Sequence, residues 1–150
     1  MNYSPALVQL PLVHETSSQP VASAEAVFRI CRDIGELAQE SFHVLSLSTK
    51  NRLINRHLIS LGLVDSCPAH SREIFRAAIL DGATNVILAH GHPSGDPSPS
   101  AEDLRITKQL IEAGKLLGIP VLDHVIIGRP VPPMVPGYLS LRESGLCVFA

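Results

Sequence analysis

Apolar positions recur at helical spacing in three stretches of the chain, with shorter runs of strand character between them. Val27, Ile30, Cys31, Ile34 and Leu37 follow a 3.6-residue period behind Ser23, a suitable N-cap, which predicts a helix ending near residues 35–39 and feeding directly into Glu40. Segments 42–47 and 53–61 are split by the polar turn Ser48-Thr-Lys-Asn51-Arg52 and read as an antiparallel hairpin. A second helix over 71–81 places Ile74, Phe75, Ala78 and Ile79 on one side and stops at Gly82; it should pack on the sheet. The apolar run Asn85-Val-Ile-Leu-Ala89 has the character of a buried central strand, with His90 at its C-terminal end. A third helix over 100–117 is closed by Gly118 and Pro120, and a strand over 121–127 ends at Gly128. After a Pro-rich loop through Pro136 comes a short terminal strand.

Residues 1–22 carry prolines and serines without clear periodicity and read as an arm, leaving 23–150 as one domain with no internal repeat. At 150 residues the chain can bury a real core. Hydrophobic residues make up 45% and charged residues 17%, which argues for a filled interior and against disorder. A formal net charge of -2 gives no global positive field to draw the protein onto nucleic acid, although a local basic patch stays open. Cys31, Cys67 and Cys147 are odd in number and widely spaced, the pattern of reduced thiols, and point to a cytoplasmic protein. The start lacks a basic, apolar leader, and no apolar run approaches the roughly 20 residues of a membrane span.

The chemistry concentrates in one loop. His90 and His92 lie two apart, so an extended backbone turns both imidazoles the same way, and Gly91 lets the chain bend between them. Asp103 falls in the first turn of the third helix, which the Gly- and Pro-containing loop can fold back beneath the strand end. Three such ligands leave a fourth tetrahedral position for water, the arrangement of catalytic zinc, whose bound water has its pKa lowered to about 7. A base is then needed within reach, and Glu40 is the candidate. The same residues have plainer readings. The histidines can be polar loop groups near a strand end, Ser100 and Asp103 match a helix capping box, and Glu40 is locally no different from Glu36. Asp96, Glu102, Asp123, His124 and His70 read as solvated or structural groups and not as metal ligands, and Cys67 reads as a small buried hydrophobe.

His-x-His, seven residues, Ser, two residues and Asp is the signature of the JAB/MPN metallohydrolases known as JAMM proteins, matched here by His90, His92, Ser100 and Asp103. Val86-Ile-Leu-Ala-His90-Gly-His92-Pro-Ser-Gly and Val121-Leu-Asp-His124-Val-Ile-Ile-Gly128 resemble the RadC branch of that family. So do the stretches around His70-Ser-Arg72-Glu73 and Tyr138 to Gly145, and the similarity runs over roughly residues 23–149. The resemblance implies an α/β fold, a curved mixed sheet flanked by helices and similar to the cytidine deaminase-like fold. It also implies that His90, His92 and Asp103 bind zinc, that Glu40 orients and deprotonates water, and that Ser100 helps stabilise an oxyanion.

The expected activity is that of a zinc-dependent metallopeptidase or isopeptidase acting on a peptide or protein substrate. The alternative is a DNA-repair-associated scaffold that binds DNA, or a metal-dependent nuclease. RadC-type proteins carry an N-terminal helix-hairpin-helix DNA-binding region that residues 1–22 do not resemble, so the DNA-repair association carries over least. A nuclease normally needs more carboxylates than this loop supplies, and the absence of Pro-Cys-x-x-Cys argues against a nucleobase deaminase. The loop from Arg129 to Gly137 is enlarged and has no role in this reading beyond bordering the cleft.

Overall fold

The computed structural model describes residues 19–62, 69–132 and 136–149. Most of the arm, Cys67 and part of the Pro-rich loop therefore lie outside the described residues. Five strands form one mixed sheet: β1 (Ser41–Leu47), β2 (Leu53–Leu61), β3 (Asn85–Gly91), β4 (Val121–Ile127) and β5 (Tyr138–Ser140), in the order β2-β1-β3-β4-β5. β1 runs antiparallel to β2 and β3, β3 and β4 are parallel, and β5 returns antiparallel to β4. The helices are α1 (Ala24–Ile30), α2 (Ser71–Leu80) and α3 (Ala101–Leu117). α3 supplies the crossover that parallel neighbours require.

The two-residue period of the central strand sorts its side chains into two cores. Val86 and Leu88 join Phe42, Val44, Ile74, Phe75, Leu110 and Ile111 under α2 and α3. Ile87 and Ala89 join Leu45, Leu47, Val125 and Ile127 beneath Val27, Cys31 and Ile34 on the opposite face. A strand covered on both faces has no polar side to show, which explains the uninterrupted apolar run before His90. Val21 belongs to the second core, and its amide donates to Asn51 O at 2.8 Å.

The hairpin, the second and third helices and the strand over 121–127 form where the pattern places them. The first helix is shorter than its periodicity predicts. Ser23 Oγ caps it by accepting from Ala26 N at 3.2 Å, but the α-helix stops at Ile30, and Arg32–Glu36 forms a separate 3-10 turn. The tighter turn still buries Ile34 and brings Gly35 against Gly128 at the end of β4.

That junction is close-packed backbone. A Cβ on Gly35 would fall within 3.0 Å of Gly128 O, and one on Gly128 within 3.0 Å of Gly95 O. Neither obstacle is a side chain that can swing away. Gly128→Ala is therefore expected to cost about 1–3 kcal/mol, as overpacking does. Urea denaturation should show a lower midpoint at an unchanged slope; an unaltered midpoint would show that the three segments can separate freely.

At the opposite end of β4, buried Asp123 accepts from Ser140 Oγ at 2.6 Å, His124 N at 2.7 Å and Arg142 N at 3.1 Å, tying the terminal turn to the sheet. Cys31 and Cys147 are free and buried, and burial pushes the Cys31 thiol up to about 11, the neutral state of an inert core thiol. Among the described residues, no helix is long and apolar enough to cross a membrane.

Candidate metal centre

Strand parity brings the polar groups together. His90 shares the α2/α3 face with Val86 and Leu88, and Phe42, its register partner on β1, lies two residues after Glu40. One step beyond the last registered pair, Ser41 with Gly91, sets Glu40 level with His92. The loop after β3 turns back through Gly95 at φ +86°, and Ser100 starts α3 beneath the strand end. The capping box is real: Ser100 Oγ accepts from Asp103 N at 3.0 Å, and Ser100 N donates to Asp103 Oδ2 at 2.8 Å. The plain reading and the chemical one coincide, because the cap aims the Asp103 carboxylate at both histidines.

Asp103 Oδ1 lies 3.2 Å from His90 Nδ1, and Oδ2 lies 3.2 Å from His92 Nε2. Glu40 Oε2 approaches His90 Nε2 from the other side at 3.7 Å. Glu40, His90 and His92 each offer a ligand atom within 4.8 Å of the others, so they can hold a metal ion, and Asp103 sits closer still to both rings. Bonds of about 2.0–2.2 Å in a tetrahedral shell separate ligand atoms by about 3.3–3.6 Å. Asp103 meets the two rings with different oxygens, each at 3.2 Å and just inside that spacing, and it stands beside the Glu40, His90 and His92 group. His92 Nδ1 lies 2.9 Å from Asp96 O, an acceptor only, so Nδ1 carries the proton and Nε2 is left as the donor to a cation. Both ring nitrogens of buried His90 lack a hydrogen-bond partner despite the two carboxylates beside them. Two imidazoles and carboxylate oxygens form a donor set suited to zinc.

The electrostatics agree with a cation site. Burial opposes charge on His90, but the Asp103 and Glu40 carboxylates outweigh it and raise the imidazole to about 9. Burial works against Asp103 as well, and the two histidines hold its carboxyl far below the usual range. A divalent ion competes for the lone pairs that this proton occupies.

A layer that sequence reading did not resolve lies behind the carboxylate. Thr107 Oγ1 donates to Asp103 O at 2.6 Å, and His124 Nδ1 lies 2.6 Å from Thr107 Oγ1. The hydroxyl has one proton and gives it to a carbonyl, so His124 must donate from Nδ1. The only sequence signal was Thr107 standing four residues after Asp103 on one helix face. Burial pushes the His124 imidazole down to about 3, with His90 acting in the same direction.

His43, on the other face of β1, is buried with neither ring nitrogen hydrogen-bonded. Burial pushes it down to about 4; Arg56 and His90 act in the same sense, and Asp33 opposes them. An unfolded imidazole binds its proton near 6.5, so the unfolded state gains protons first as pH falls. The contribution of His43 to stability is therefore full above about 6.5 and declines toward about 4, and that of His124 is lost in the same direction toward about 3. Urea midpoints at pH 7.5 and 5.0 should differ less in His43→Gln than in wild type; an equal difference would remove His43 from the account.

The family model described as RadC-like JAB domain matches residues 21–146. A UPF0758 protein of Listeria monocytogenes is 45% identical over 121 residues, 81% of this chain and 51% of its own length. A UPF0758 protein of Desulforamulus reducens is 50% identical over 117 residues, covering 78% and 49%, and one of Methanococcoides burtonii is 47% identical over 110, covering 73% and 45%. Those names state no activity. The chain spans about half the length of the curated relatives it matches.

Proposed function

We propose, proceeding from the fact that this chain belongs to the RadC-like JAB domain family, that it is a zinc-dependent hydrolase of JAMM type that cleaves an amide or isopeptide bond. The observation that carries the reading is the convergence of one capped carboxylate, Asp103, on two imidazoles at 3.2 Å each, with a second carboxylate, Glu40, at the rim. His90, His92 and Asp103 would hold the ion. Asp103 is the better third ligand because it approaches both rings and is nearly buried, its side chain 9% exposed against 21% for Glu40. Zinc, when bound, acidifies a water and polarises a carbonyl oxygen.

The chain's own residues supply the rest. Glu40, reached from solvent, takes the proton of the attacking water and returns it to the leaving amine, so one carboxylate serves first as base and then as acid. Ser100 Oγ already accepts from Asp103 N, which leaves its hydroxyl proton free to meet the oxygen on which charge develops. The capping box thus orients both the third ligand and the oxyanion donor.

The test is hydrolysis of a panel of peptide and lysine-isopeptide substrates by zinc-loaded, chelated and zinc-restored protein. Cleavage that is lost on chelation and returns with zinc is expected. Cleavage indifferent to chelation would refute the zinc-dependent reading.

A further inference from the structure

Two segments carry the groups placed at the centre, and one side chain spans both. Glu40 follows the 3-10 turn Arg32–Glu36, and His92 opens the loop that leads to Ser100. Arg129, just past β4, donates through Nη1 to Gly35 O at 2.9 Å and through Nη2 to Pro93 O at 3.1 Å. Its own amide donates to Gly95 O at 2.9 Å, while His92 N donates to Ile127 O at 3.0 Å. The His92 loop is thus fixed to the end of β4 by two backbone bonds and the guanidinium, and the same guanidinium reaches the turn ahead of Glu40.

We infer that Arg129 is a positioning residue for the metal centre, setting His92 against Glu40 by bridging the Pro93 and Gly35 carbonyls. The inference rests on the proposed metal-dependent reading of the site. The bridge requires arginine, because carbonyls accept only, and a planar guanidinium presents separate N–H groups in fixed directions, whereas an ammonium is a single point of donation. The fit is tight as well: a Cβ on Gly95 would fall within 3.0 Å of Arg129 Nη2. The position immediately follows Gly128, whose close approach to Gly95 brings the guanidinium within reach of both carbonyls.

The experiment compares wild type, Arg129→Met and Arg129→Lys by two readouts. Amide hydrogen exchange of the metal-free proteins reports whether His92 and Gly95 are held; Co2+ titration reports affinity and, through the visible absorption band, ligand geometry. In Arg129→Met, exchange at His92 and Gly95 should rise at least about tenfold while β3 and β4 keep their protection, and Co2+ should bind about 10–100-fold more weakly with an altered band. Arg129→Lys should fall between the two and guards against a Met variant that folds poorly. Unchanged Co2+ affinity and band in both variants would overturn the positioning role, even if exchange rises. Failure of wild type to take up Co2+ at all would instead refute the metal reading, and this role with it.

Discussion

Glu40→Gln is expected to keep the metal and lower turnover by about 10²–10⁴-fold, the usual contribution of a positioned acid–base group. The substitution preserves size and removes only the ability to hold a transferable proton at neutral pH. Glu40 Oε2 stands 3.7 Å from His90 Nε2, close enough to share the site, while its side chain stays partly open to solvent. The outcome separates two assignments that the geometry allows, since Glu40, His90 and His92 alone can hold an ion. If Glu40 were the third ligand, the variant would lose metal together with activity. Turnover should therefore be measured on samples whose metal content is known; full activity would remove Glu40 from the mechanism.

Asp103→Ala should empty the centre. The carboxylate touches both imidazoles at 3.2 Å and carries the charge that a dication needs, so metal affinity should fall by more than the about 10–100-fold typical of groups that merely support a ligand. The variant also removes the acceptor of Ser100 N, and loss of that hydrogen bond should lower stability by about 1 kcal/mol. Asp103→Asn separates the effects, because an amide oxygen can still accept from Ser100 N without supplying the charge. Competition with a chelator should place Asn near Ala in affinity, and unfolding of the metal-free proteins should place it above Ala in midpoint. An Asn variant with wild-type affinity would deny Asp103 its role as an anionic ligand.

Residues whose partners are near in sequence, or whose period is unambiguous, were legible from the chain alone. The uninterrupted run before His90 reports a strand covered on both faces, and His-x-His on an extended backbone aims both rings one way. Ser100 and Asp103 were readable as a cap, and local chemistry could not say that the capped carboxylate also faces the histidines, because that depends on where α3 returns to the sheet. Glu40 stood out through family resemblance, since its partner His90 is fifty positions away and no local pattern separates it from Glu36. The break after Ile30 was hidden for a related reason. Helical periodicity continues through Ile34, but the backbone contact of Gly35 with Gly128 sets the geometry there, and glycine leaves no hydrophobic signal. Thr107 and Arg129 act on backbone carbonyls, partners that every residue possesses and that no sequence pattern marks.

The most direct test is elemental analysis of wild type, Glu40→Gln and Asp103→Ala after identical zinc loading and removal of excess ion. The predicted result is about one zinc per chain in wild type and Glu40→Gln, as a single three-ligand site requires, and a large loss in Asp103→Ala. A wild-type protein that retains no zinc, or an Asp103→Ala protein that retains as much as wild type, would contradict the assignment of His90, His92 and Asp103 as the metal-holding residues.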